Sequence, residues 1–456
     1  MPSPAPARQE RLPAAALITY SRKRRRRPAA SPDWASLSQD VVEQIGWRVL
    51  AGDLQDYVRF RAVCAHWAAS TVRPQGRGVR DRRFHPRRWM MLPEGHGLYP
   101  GHPRLRGYAR FFSLSTGAFV RARLRLLEDH VVLDSVDGLL LLHRDRDTAV
   151  RLLHPFTGDI AELPPLDSIL PQMEPTVHYP TADDNLRRTF LRKVCAVVAV
   201  SAEGAIAVML AFDSLQRVAY ATPGDQRWTL STWKLLPLMR RTSFQGKLYL
   251  MRFSYGSNNK RLVQIYQIDP LRPATATATD KQRSNSLPQP LPKMIAECPR
   301  DKMAYPISLA ECNSQLLLVG YTDSSSRNLL VYRLSDLADK KIVPMASIGD
   351  HALFLDERCL CVSPGKGLPS ISPNSIICIH TSLRRNSEWF EQYHLDTGIW
   401  TPASDGASVQ RPPPNPCTLI HHIFTCCRRE YWNKGIMFCR ETKPKWSVKR
   451  NLRIGT

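Results

Sequence analysis

Residues 152–160, LLHPFTGDI, run an apolar strand into a Thr157-Gly158 turn and send a second strand out of it. The same pattern stands at 111–119, FFSLSTGAF, and at 393–400, YHLDTGIW. Glycine after threonine supplies the positive φ that a tight link between antiparallel strands requires. Gly117 and Gly158 lie 41 residues apart, the length of one four-stranded propeller blade. From Gly117 to Gly398 there are 281 residues, close to seven such intervals, or nearer six once a patternless insertion is discounted. Further apolar strand pairs fall at 195–212, 246–268 and 315–334, with another strand at 376–379. The runs behind glycine, Asp137-Gly138-Leu-Leu-Leu-Leu142 and Gln245-Gly246-Lys-Leu-Tyr-Leu250, read as inner blade strands. The insertion, 271–292, is rich in Pro, Thr and Ser and reads as a mobile surface loop. A sandwich would need fewer and more even strands. The pattern predicts a mostly β chain, a β-propeller of about six to seven blades over residues 111–404.

Ahead of it stands a helical unit, residues 33–70, DWASLSQDVVEQIGWRVLAGDLQDYVRFRAVCAHWAAS. Val41, Val42, Ile45 and Val49 fall at helical spacing and make one apolar stripe. Ser38 or Asp40 can cap its start, and Asp40-x-x-Glu43 fits a capping box. Gly52 tolerates a left-handed stop, and Asp53 offers a fresh cap. A second stripe follows in Phe60, Val63, Cys64 and Trp67. A unit this short cannot bury both stripes alone. The rest of the chain, or a partner, must cover what is left.

At 456 residues the chain has room for two or three domains, and 43% hydrophobic residues support a core while 36 prolines argue against a helix-dominated one. The formal charge is +24. Residues 1–32 read as a disordered basic tail, 33–72 as the helical module, 73–110 as an irregular Arg-rich connector, and 405–456 as a closing segment with a basic end. Within the tail, Arg22, Lys23, Arg24, Arg25, Arg26 and Arg27 form an exposed basic run of the kind read as a nuclear-import signal, with a plain solvated tail as the other reading. No aromatic residue interleaves these arginines, which weakens a nucleic-acid role. Nucleus and cytoplasm are the expected compartments. Eleven cysteines without framework spacing, several in apolar runs such as those of Cys195 and Cys378, read as buried thiols of a reducing compartment. The apolar stretch 194–212 is broken by Ser201-Ala-Glu203-Gly204 and reads as two strands and a hairpin rather than a membrane span.

Leu37-x-x-Asp40-Val41-Val42-x-x-Ile45, Leu54 and Arg61-x-Val63-Cys64-x-x-Trp67 resemble the F-box. The family usually opens with Leu-Pro where this chain has Leu37-Ser38, which removes a preorganised first turn. The resemblance implies docking on the Skp-type adaptor of a cullin ubiquitin ligase, with Leu37, Ser38, Val41, Ile45, Val63 and Trp67 as adaptor-binding residues. The other reading of the same residues is a plain helical cap on a larger domain. Ile348-Gly349-Asp350-His-Ala-Leu353-Phe354-Leu355, Pro373-Asn374-Ser-Ile-Ile377 and the Trp-Phe-x-x-Tyr-x-Leu-Asp-Thr-Gly run at 389–398 are similar to the KIB-type β-propeller. Plant F-box proteins, those of grasses among them, carry that domain behind the F-box. Together the two resemblances imply a non-catalytic substrate-recognition subunit, its propeller holding a protein client, with kinases among the proteins bound by relatives. The alternative is a basic nuclear propeller that binds nucleic acid or a kinase and has no ligase role. A propeller enzyme, with carboxylates or histidines around its central channel, is the third class.

Cys417, His421, His422, Cys426, Cys427 and Cys439 invite a zinc reading, but the apolar residues among them fit a packed helix better than a closed four-ligand site. Cys359-x-Cys361 puts two thiols on one strand face and lacks the Cys-x-x-Cys turn of a redox pair. Gly365-Lys366-Gly367 lacks the spacing of a phosphate loop, and neither Gly-x-Ser-x-Gly nor His-Glu-x-x-His occurs. No cofactor, metal or catalytic constellation is expected from the sequence.

Overall fold

The computed structural model describes residues 34–92, 100–173, 191, 193–212, 215–235, 239–255, 261–270, 290–299, 303–323, 327–365, 368–382, 387–403, 409–410 and 419–428. The basic run Arg22 to Arg27, most of the 271–292 insertion, Cys417 and Cys439 lie outside them. Three helices come first: α1 (Gln39–Gly52), α2 (Leu54–Arg61) and α3 (Ala65–Ala69). Six sheets follow, arranged as the blades of a propeller.

Blade 1 holds β1 (Trp89–Leu92), β2 (Tyr108–Ser113) and β3 (Phe119–Arg123). Blade 2 holds β4 (His130–Val136), β5 (Leu139–Arg144), β6 (Val150–Leu153) and β7 (Ile160–Leu163). Blade 3 holds β8 (Val194–Val200), β9 (Ile206–Phe212), β10 (Val218–Ala221) and β11 (Thr229–Leu230). Blade 4 holds β12 (Arg240–Phe244), β13 (Lys247–Tyr255), β14 (Arg261–Ile268) and β15 (Lys293–Pro299). Blade 5 holds β16 (Ala304–Cys312), β17 (Gln315–Tyr321) and β18 (Leu329–Arg333), followed by the short helix α4 (Leu334–Ala338). Blade 6 holds β19 (Ala352–Leu355), β20 (Leu360–Val362), β21 (Ser375–Ser382), β22 (Ser387–His394), β23 (Trp400–Pro402) and β24 (Val409–Gln410). Successive strands pair antiparallel except in blade 6, where β19 pairs β21 in parallel, β20 folds back along the other edge of β19, and β24 pairs β22. The last helix, α5 (Leu419–Cys426), packs on β1 and closes the ring. Ile420, Ile423 and Phe424 share one apolar cluster with Leu92 and Phe112 of blade 1 and Phe354, Ile377 and Phe390 of blade 6.

The Thr-Gly turns are the outermost hairpins of blades 1, 2 and 6. Gly117, Gly158 and Gly398 have φ of 70°, 77° and 71°. Each amide donates to the carbonyl four residues back, on Ser113, His154 and His394, at 2.9, 3.0 and 2.8 Å. The 41-residue step from Gly117 to Gly158 is therefore one blade. The 281 residues to Gly398 span five blade steps rather than six or seven, because the later blades carry longer connections.

Two expectations change. The runs behind Gly138 and Gly246 are second strands, β5 and β13, not the innermost ones. A second strand has another blade against each face. Leu139 and Leu141 pack toward blade 3, while Leu140 and Leu142 pack toward blade 1. The innermost β4 and β12 line a channel instead and carry Asp134, Ser135, Arg240, Arg241 and Thr242. The 73–110 stretch, expected to be irregular, carries β1 and opens β2. Its apolar Trp89-Met-Met-Leu92 run is short and sits among arginines, so it reads weakly as a strand in sequence alone.

The hairpin expected at 194–212 is present as β8 and β9, with Gly204 at φ 81° in its turn. Among the described residues, no helix is long and apolar enough to cross a membrane.

Candidate functional site

The helices present one face to the propeller and another outward. In α1 the buried positions are Val42, Gly46 and Leu50, one residue out of step with the expected stripe. Gly46 is packed so closely that an added Cβ would stand 2.8 Å from the Thr71 methyl group. Leu50, Leu54 and Tyr57 meet Phe84 and Phe156, so the α1–α2 corner is seated on blade 2. Trp47 joins this seat, near-parallel to Tyr57 at 6.4 Å and with the Arg83 guanidinium 4.2 Å from its ring centre. Asp53 caps α2 as expected, accepting from the Gln55 amide at 2.7 Å. Its other oxygen accepts from Trp89 Nε1 at 2.9 Å, which fastens the helices to blade 1. Other expected caps are not made. Ser38 stands at the N-cap without a side-chain bond, Glu43 accepts from Trp47 Nε1, and Gly52 is the last helical residue, not a left-handed stop. Asp53 takes an extended φ of −159°, which turns the chain directly into the next cap.

The segment behind the helices is tied down as firmly. The Asp159 carboxylate accepts from the Gly76 and Gly78 amides at 2.8 and 2.7 Å. At the β4–β5 turn Gly138 has φ 79°, and a Cβ there would stand 2.1 Å from the Pro86 carbonyl oxygen. His154, fully buried, receives the Phe156 and Thr157 amides on Nδ1 at 3.3 and 3.0 Å. Its proton is therefore on Nε2, which donates to the Phe84 carbonyl at 3.0 Å. Burial holds this imidazole below its ordinary pKa. The unfolded chain takes up a proton below about pH 6.5 that the folded chain resists, so this contribution to stability is present above that pH and lost as the pH falls toward the lower folded value. The melting temperature should fall between pH 7 and pH 5, and less steeply in His154→Gln. Equal slopes would remove His154 from the account.

Among the described residues, the outward face leaves large apolar side chains exposed. Trp34, Val41 and Val63 are 60%, 41% and 62% exposed, and Leu37, Ile45 and Trp67 are half-buried. The second stripe does not form one helix. Residues 62–64 break it, and Cys64 caps α3, its sulfur accepting from the Trp67 amide at 3.4 Å. That break turns Val63 out to solvent while Phe60 stacks on Trp67 at 4.4 Å. The Trp67 indole donates to the Trp34 carbonyl at 3.1 Å, and His66 Nε2 donates to the Leu37 carbonyl at 2.8 Å. The chain entering α1 is thus held against α3.

The inner strands and the α1–α2 corner line a cavity of about 1820 Å³. Its wall is knotted at Asp134, 1% exposed on its side chain. Asp134 accepts from its neighbour Ser135 and from Ala196 of β8 at 2.8 and 2.7 Å, and pairs with Arg358 of blade 6. Arg358 also donates to the Ser135 carbonyl at 3.1 Å, and its backbone amide to the Cys427 carbonyl at 3.0 Å. Blades 2, 3 and 6 and the end of α5 meet there. Near the helical mouth Asp137 lies 3.8 to 3.9 Å from Arg82, His85 and Arg87. These groups outweigh the cost of its burial and hold its carboxyl below the usual range. Glu311 shows open surface to the channel, yet enclosure by the wall, with Asp137 nearby, pushes its carboxyl up to about 7. The sequence singles out neither Asp134 nor Arg358 as a partner. The one local signal is an acid in the middle of the run Val131-Val-Leu-Asp-Ser-Val136.

Among the described residues, no three His, Cys, Asp or Glu side chains are placed to hold a metal ion. His421 packs on the Phe390 ring at 5.5 Å, and burial pushes the Cys426 and Cys427 thiols above their ordinary range.

Residues 111–401 match the KIB1-4 beta-propeller family model. The chain belongs to this family. The match opens within β2 and ends within β23, so β1, the helices α1 to α3 and α5 lie outside it. No curated protein sequence matches the chain. Among solved structures, the beta-propeller domain of Cps50 (Swd1) from Myceliophteria thermophila is similar at 11% identity and a TM-score of 0.25, over 64% of this chain and 77% of that one. At that score the likeness carries no weight for either fold or function. The KIB1-4 propeller presents loops on a rigid ring, an architecture that suits protein interaction.

Proposed function

We propose that the chain is the substrate-recognition subunit of a Skp-cullin-F-box ubiquitin ligase, with α1 to α3 docking on the Skp-type adaptor and the propeller holding a protein client. One observation carries the reading: a short helical unit is clamped to the propeller by one face and leaves Trp34, Val41 and Val63 exposed on another. An apolar surface kept open on a seated unit fits a partner protein better than a mere cap, whose apolar residues would turn inward. The F-box-like order of Leu37, Val41, Ile45, Val63 and Trp67 names the kind of partner. The protein's own contribution is then proximity, holding the client near the ubiquitin donor at high effective concentration.

Leu37 and Val41 lie outside the seat formed by Leu50, Leu54, Tyr57 and Phe84. The double variant Leu37→Ala/Val41→Ala should weaken binding of purified Skp-type adaptor by about 2 kcal/mol or more, roughly thirtyfold, with the melting temperature unchanged. Ser38→Pro should tighten binding, since Ser38 already holds φ −61°, the angle that proline fixes at the entry to α1. Adaptor binding that the double variant leaves intact would contradict the proposal.

A further inference from the structure

Cys312 ends β16 in blade 5 and Cys361 lies on β20 in blade 6, and their sulfur atoms face each other at 3.5 Å across the seam between blades. The two residues are far apart in sequence, and no hairpin forces the approach. They are brought together by the packing of Ala310, Leu317, Val319, Leu353 and Ile376 into one apolar cluster. Cys312 is 4% exposed, while Cys361 lines the central channel. We infer that Cys312 and Cys361 form a redox-active dithiol, which a hydroperoxide entering by the channel converts to a disulfide that locks blade 5 to blade 6.

The other thiols of this seam are placed differently. The Tyr321 hydroxyl donates toward the Cys378 sulfur at 3.9 Å, and burial pushes the Cys378 thiol up to about 12. Burial likewise pushes Cys359 up to about 11. Cys361 instead donates toward the Cys312 sulfur, a bond that holds Cys312 below the ordinary thiol range and raises Cys361. The thiolate is the nucleophile, and it is placed on Cys312, whose sulfur lies 3.5 Å from that of Cys361 at the channel wall. The Cys312 thiolate attacks one peroxide oxygen, the O–O bond breaks, and the products are a sulfenic acid and hydroxide. The Cys361 thiol then attacks the sulfenic sulfur. The S–S bond forms as the S–O bond breaks, and the hydroxyl group leaves with the Cys361 proton as water. Two thiols are oxidised by two electrons and one hydroperoxide is reduced. The sulfurs must close from 3.5 Å to about 2.05 Å as the bond forms.

The test uses the reduced full chain treated with hydrogen peroxide, alkylated and digested without reductant. The peptides bearing Cys312 and Cys361 should appear linked, two hydrogens lighter than their sum, and separate on adding dithiothreitol. The oxidised protein should melt several degrees higher and return to its starting value when reduced. Cys361→Ser should leave a sulfenic acid on Cys312 that dimedone captures, and Cys359→Ser should leave the cross-link intact. Cys312 recovered as an unreacted thiol from the treated wild-type chain would overturn the inference, as would its linkage to a different cysteine. A cross-link that left the melting temperature unmoved would overturn the lock.

Discussion

Trp228→Ala should lower the unfolding free energy by about 3–5 kcal/mol. Trp228 is fully buried between blades 2 and 3, packed with Leu163, Leu166 and Ile169 on one side and Ala219, Ala221 and Leu230 on the other. Its indole donates to the Pro164 carbonyl at 2.8 Å. Its own amide donates to Ser168 Oγ at 3.1 Å. Truncation leaves a cavity the size of an indole and a buried carbonyl without that donor, in a seam whose two walls belong to different blades and cannot collapse freely. Denaturant titration followed by fluorescence of the remaining tryptophans measures it. A loss under about 1 kcal/mol would mean that the blade 2–3 seam is not packed as described.

Arg358→Ala should cost about 3–5 kcal/mol, for a different reason. The substitution takes a cation from beside a carboxylate that is 1% exposed on its side chain, leaving that charge to the Ala196 and Ser135 amides. It also withdraws the donor to the Ser135 carbonyl and so unfastens blade 6 from blade 2. Arg358→Lys should recover part of the loss, because an ammonium restores the charge but not the fork that reaches both acceptors. Unfolding curves for both variants decide this. Equal stability of Arg358→Ala and the wild type would show that the channel wall closes without the knot.

The parts legible in the sequence are those set by neighbours in the chain. The Thr-Gly turns announce themselves because glycine, threonine and the flanking apolar residues all lie within one hairpin, and Gly117, Gly158 and Gly398 share one geometry. Asp53 was readable as a cap for the same reason. Counting blades from glycine spacing overshoots, because a ring tolerates connections of unequal length. The helical stripe is shifted by one residue because apolarity marks Ile45 and Val49, while the buried positions are Gly46, held close against Thr71, and Leu50, seated on Phe84 and Phe156 far along the chain. Asp134 and Arg358 meet only once the ring has closed, so no local pattern could pair them. The parallel pairing of β19 with β21 has no sequence signature for the same reason.

The claim that the outward helical face receives an adaptor is tested most directly by hydrogen exchange of the full chain with and without purified Skp-type adaptor. The account predicts new protection concentrated in residues 34–45 and 63–67, around Trp34, Leu37, Val41, Ile45, Val63 and Trp67, with the propeller blades unchanged. No protection under conditions where a known F-box protein is protected, or protection confined to the blades, would contradict it.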